Sequence, residues 1–147
     1  MSRTRVYLPL TGEDCRTLAS ERRLESPPRA AHAVTRALEV AHPGVDLEVH
    51  EHLALQAAAR TALAAAAGTG GRVVVGAADV DPSLVVDAAG QREEPSVVRL
   101  TEPLPLARIA SFHLGDAQLA VVGSRDDEEI ELSWYDATEL GVVISLL

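Results

Sequence analysis

The sequence has no lysine and no asparagine, a single cysteine (Cys15), and only 3% aromatic residues among 147. Each shortage excludes something. One thiol rules out an internal disulfide framework and a cysteine-rich zinc site. With so few aromatics, Val, Leu and Ala must make the core. All 13 basic residues are Arg, set against 22 Asp and Glu, for a formal net charge of −9. Such a chain is repelled by phosphate backbones, and no basic stripe with interleaved aromatics occurs, so no nucleic-acid partner is expected. No apolar run approaches the roughly 18–20 residues of a membrane span. The start, Met1 to Arg5, is basic but enters a short strand-like run and not a signal-peptide core. The expected compartment is the cytoplasm.

What remains is an ordinary globular composition, 47% hydrophobic and 24% charged. A chain of this length buries roughly 68–70% of its unfolded surface and folds without disulfide or metal. One domain, residues 1–147, is expected. Residues 4–9 read as a strand with Val6 and Leu8 on one side and Arg5 and Tyr7 on the other. Thr11, followed by Glu13 and Asp14, opens a helix to about Arg23. Ser26-Pro27-Pro28 breaks the chain. Ala31, Val34, Leu38 and Ala41 then fall on one helical face and predict a second helix over 29–41. Asp46 caps a third, over 47–67, with an alanine-rich tail ending at Gly68–Gly71.

Arg72–Ala78, with three consecutive valines, has the look of a central parallel strand. Asp81-Pro82 caps a short turn, and 87–95 reads as a polar, mobile loop. Strands are predicted at 96–100 and 106–114, the latter with Ile109, Ser111 and His113 on one face. A short helix follows from Gly115 to about Val122, then an acidic loop. Ile130–Trp134 alternates with Ile130, Leu132 and Trp134 inward. Asp136 and Glu139 form a capping box, flanked by Tyr135 and Leu140 as a hydrophobic staple. Val142–Leu147 reads as a final strand or an apolar tail. The expected fold class is α/β, with α+β open: a mixed sheet with a three-helix crossover after the first strand and its first two strands parallel.

Arg-Val-Tyr-Leu-Pro-Leu at 5–10, Ala-His-Ala-Val-Thr at 31–35, Arg-Val-Val-Val at 72–75 and Leu-Ser-Trp-Tyr-Asp-Ala-Thr-Glu-Leu at 132–140 resemble a family of short actinobacterial proteins of unknown function. That family tends to carry Pro where Arg36 stands here. The lack of Lys and Asn fits a GC-rich coding sequence. The resemblance implies no activity.

Glu48-Val49-His50-Glu51-His52 is the densest candidate for a metal. The zinc-protease pattern needs His-Glu-x-x-His, but position 54 is Ala, and His50 and His52 diverge on a helix. The spacing places His52 at the core edge and His50 in water, so no metal and no cofactor are expected. Gly68–Gly71 follows a helix and precedes a strand, the reverse of a dinucleotide fingerprint. Asp79 and Asp81 lie past the C-terminal end of the valine strand, where ligands of open sheets bind. Tyr7, Asp79, Asp81, His113 and Tyr135 are therefore the candidate ligand-binding residues. The acidic run Asp126–Glu129 suits a basic protein partner. The expected role is an acidic binding or regulatory module without catalysis. The alternative is a small enzyme or ligand-binding domain with a pocket near Asp79, His113 and Tyr135, and a homodimer through Val142–Leu147 is a third reading.

Overall fold

The computed structural model describes residues 3–25, 29–67, 71–88, 94–117 and 128–147. Several expectations lie outside these residues: the 26–28 breaker, the 68–70 turn, the middle of the 87–95 loop, the helix to Val122 beyond residue 117, and Asp126–Asp127.

The strand β1 (Thr4–Leu10) leads into α1 (Gly12–Glu21), where Thr11 and Asp14 make a reciprocal capping box. α1 ends on Arg22 in the left-handed region, φ 65°. β2 (Arg23–Leu24) and β3 (Arg29–Ala33) come next, followed by α2 (Arg36–Ala41) and α3 (Leu47–Ala66). Strands β4 (Val74–Val80), β5 (Val85–Asp87), β6 (Val97–Leu100), β7 (Leu104–Pro105), β8 (Ile109–Gly115) and β9 (Leu132–Asp136) follow, and α4 (Leu140–Ser145) closes the chain. Short 3-10 turns at Pro82–Leu84, Leu106–Arg108 and Ala137–Glu139 join them.

Seven strands form one sheet in the order β5-β6-β3-β1-β4-β8-β9. β2 and β7 pair separately. The expected class holds, with helices on both faces of the sheet. Strand direction differs from expectation. β1 and β4 are neighbours, yet they run antiparallel, with Thr4 opposite Val80 and Leu10 opposite Val74. All pairings among the described residues are antiparallel. The predicted three-helix crossover is interrupted by β3, which occupies most of the first half of the expected 29–41 helix. Ala31, expected on a helical face with Val34, instead shares a strand face with Ala33, gripped by β6 on one side and β1 on the other. The helix begins only at Thr35, whose hydroxyl accepts from the Leu38 N–H at 3.0 Å and donates to the Pro95 carbonyl.

The two faces have different chemistry. The first carries Val6, Leu8, Val74, Val98, Phe112 and Leu114 under Cys15 and Leu18 of α1 and Leu140 and Val143 of α4. Gly76 lies on this face, where a Cβ would come within 2.9 Å of the Leu10 side chain. The second carries Tyr7, Val73, Val75 and Ala77 under Ala54, Ala58, Ala59 and Ala62 of α3. Alanines let this helix lie close on the sheet and cost no side-chain entropy.

Local registers correct three further expectations. Ala110 is an extra residue on β8, since Ala77 faces Ser111 while Ala78 faces Ile109. This bulge moves Ile109 to the first face, away from Ser111 and His113. Trp134 shares a face with Leu132 but is 62% exposed, because β9 is the outer strand. The tail is helical instead of extended, started by the Asp136–Glu139 capping box, and Arg72 donates to the Leu146 and Gly115 carbonyls to fasten its end.

Candidate functional site

Alternation places Arg5 and Tyr7 of β1, Asp79 of β4, and Ser111 and His113 of β8 on the second face. Tyr135 falls on the first face, packed against the main core. The expected grouping of Asp79, His113 and Tyr135 is therefore split by the thickness of the sheet.

Asp79 is already engaged. The Arg5 guanidinium grips it at both oxygens, at 2.7 and 2.9 Å. This bond holds the Asp79 carboxyl below its usual range and raises Arg5. Tyr7 is buried beside the pair, and desolvation, with Glu51 adding to it, pushes its phenol up to about 12. Asp81 lies at the end of the sheet and caps a turn, accepting the Ser83 N–H at 2.9 Å, which lowers it. His113 is half-buried and hydrogen-bonds the Ser111 hydroxyl at 3.0 Å. Burial, then the charge of Arg5, lowers its pKa.

The metal candidate resolves differently from expectation. His50 is buried and donates through Nε2 to the His42 carbonyl at 2.8 Å, tying α2 to α3. His52 is the exposed one and pairs with Glu129. The buried stripe of α3 steps from His50 through Ala54, Ala58 and Ala62, which reverses the expected places of His50 and His52. Among the described residues, no group of three or more His, Cys, Asp or Glu is arranged to hold a metal ion.

His32, expected as a packing residue of the second helix, lies instead on β3 and is part of a buried polar device. Its ring is 3% exposed, between the Ser96 hydroxyl at 2.8 Å and the Thr61 hydroxyl at 3.0 Å. Thr61 donates its own proton to the Ala57 carbonyl, so it must accept from His32 Nε2–H. Nδ1 then accepts from Ser96, and the ring is neutral. Burial lowers its pKa to about 4. Cys15 is equally inert, its thiol fully buried and pushed up to about 12 by desolvation.

The open part of the second face lies beyond α3. A shallow cleft of about 510 Å³ runs between α3 and the β8–β9 edge, lined by His52, Gln56, His113, Asp116, Glu129 and Glu131 among others. Gln56 holds its wall by a two-point bond to the Ile130 backbone, at 2.7 and 2.9 Å. Trp134, cross-strand from His113, stands beside this cleft. The sequence signal that could have found the cleft was the cluster of Glu129, Glu131 and Trp134 within six residues.

Residues 4–144 match DUF6912, a family of unknown function. The chain belongs to this family. No curated protein and no solved structure matches it. For a DUF6912 chain the function must therefore be argued from its own residues. No helix among the described residues is long and apolar enough to cross a membrane.

Proposed function

We propose that the chain is a non-catalytic binding module that takes a basic, arginine- or lysine-bearing segment of a protein partner at the β8–β9 edge. The observation that carries this is Trp134, 62% exposed on the outermost strand next to the carboxylate-lined cleft. An exposed indole is an expensive surface to leave in water. Its face attracts a guanidinium or ammonium, worth about 0.5–1 kcal/mol at an exposed site. Glu129 and Glu131 add charge of the right sign, and the net charge of −9 steers a cationic partner towards it. β9 also has no further strand paired to its outer edge among the described residues, which offers backbone groups to an extended segment. On this reading the module works in the cytosol, and the lysine- and asparagine-free composition suits an actinobacterial source.

The test is calorimetric titration with a short arginine-rich peptide. Binding should weaken with added salt, and Trp134→Ala and Glu131→Gln should each reduce affinity by about two- to fivefold, the worth of one exposed cation–π or ion-pair contact. Equal affinity for a peptide of the same length free of both arginine and lysine would refute the reading.

A further inference from the structure

We infer that a second cleft, at the far end of the first face, binds a small amphipathic carboxylic acid. This cleft has a volume of about 480 Å³, within the roughly 300–1,000 Å³ of small-molecule sites. It lies where β4, β6 and β7 end. Its floor is Val80, Leu84, Leu100 and Leu104, and its rim includes Arg3 and Arg108. The floor suits an alkyl or aryl body, and the two guanidiniums suit an oxyanion head.

The rim charges select among oxyanions. Arg3 follows the β1–β4 register beside Asp81, and its charge helps to hold that carboxyl below its usual range. Asp81 is occupied by the Ser83 N–H. Arg108 closes the 3-10 turn before β8, is exposed, and makes no hydrogen bond or ion pair with another described residue. Among the described rim residues, Arg108 is the guanidinium whose charge is not offset by Asp81, so the ligand head is assigned to it. Asp81 and Glu102 share the rim with it. A dianionic phosphate would meet both carboxylates, whereas a carboxylate monoanion brings one charge for one guanidinium. The head therefore pairs with Arg108 and the tail lies over Leu84, Leu100 and Leu104.

The experiment is a titration of the ¹⁵N-labelled chain with decanoate, decanol and decyl phosphate, read as amide shifts. Decanoate should saturate, with its largest shifts at Val80, Leu84, Leu100 and Leu104. Arg108→Gln, at an exposed position, should weaken decanoate about tenfold, the loss of one charge-assisted pair, and leave decanol unchanged. Trp134→Ala should leave decanoate binding intact, which separates this site from the β8–β9 edge. Absence of saturable shifts, shifts centred elsewhere, equal decanol and decanoate affinities in both proteins, or tighter binding of decyl phosphate would each overturn the proposal.

Discussion

The two faces of one sheet are built to different ends. The first is filled with branched and aromatic side chains: Val6, Leu8, Phe112 and Leu114 are all at or near zero exposure under α1 and α4. The second is filled with alanine from α3 and has polar groups set into it: His32, Gln56, Ser111 and the Arg5–Asp79 pair. Burial of apolar area stabilises the first face without direction. The second depends on directed bonds, each of which fixes one segment to another. Ser96 reaches β3 through His32, and Ile130 reaches α3 through Gln56. A face held by such bonds tolerates an open margin, and the margin beyond α3 is where Trp134 and the acidic cleft lie.

The largest expected effect separates packing from polar fastening. Phe112 is fully buried in the centre of the first face. Phe112→Ala should cost about 3–5 kcal/mol in a denaturant titration, with little pH dependence of its own. A loss below about 1 kcal/mol would mean that the first face is not the main core.

The second effect depends on pH. The His32 pKa drops from 6.5 to about 4 on folding, so the unfolded chain takes up the proton first as pH falls. The neutral ring's contribution is complete above pH 6.5 and is lost as pH falls towards 4, on the order of 3 kcal/mol in total. His32→Gln should therefore flatten the stability profile between those values relative to the wild type. Parallel profiles would contradict the neutral, doubly bonded ring.

The third is smaller. Gln56→Ala leaves the Ile130 N–H and carbonyl without their partners, but the neighbouring cleft admits water. The expected cost is about 2 kcal/mol. It should come with a shift in Trp134 emission, since Ile130 leads into β9. An unchanged emission would mean that Gln56 does not position that strand.

Local signals in the sequence identified much of this fold. Thr11, Asp46, Asp81 and Asp136 carry cap signals, and each accepts from the backbone ahead of it. The valine run at 73–75 predicts a central strand, and it is buried between β1 and β8. Failures came where distant partners decide. Arg29–Ala33 has helical spacing, yet β6, more than sixty residues away, makes it a strand. Ile109 follows a simple alternation that one bulge reverses. Trp134 shares a face with Leu132, as its alternation predicts, but is exposed and not inward because its strand is the outermost, which no local pattern encodes. Of the candidate residues, Tyr7, Asp79 and His113 do share a face, Asp81 belongs to the opposite cleft, and Tyr135 lies across the sheet.

The measurement that bears most directly on the account uses the chain's single tryptophan as its own reporter. Emission of Trp134 should be quenched or shifted, saturably and with loss at high salt, on titration with an arginine-rich peptide, and Glu131→Gln should move the midpoint to higher peptide. An emission spectrum that stays fixed while the peptide binds elsewhere, or does not bind, would contradict the assignment of the β8–β9 edge as the working surface.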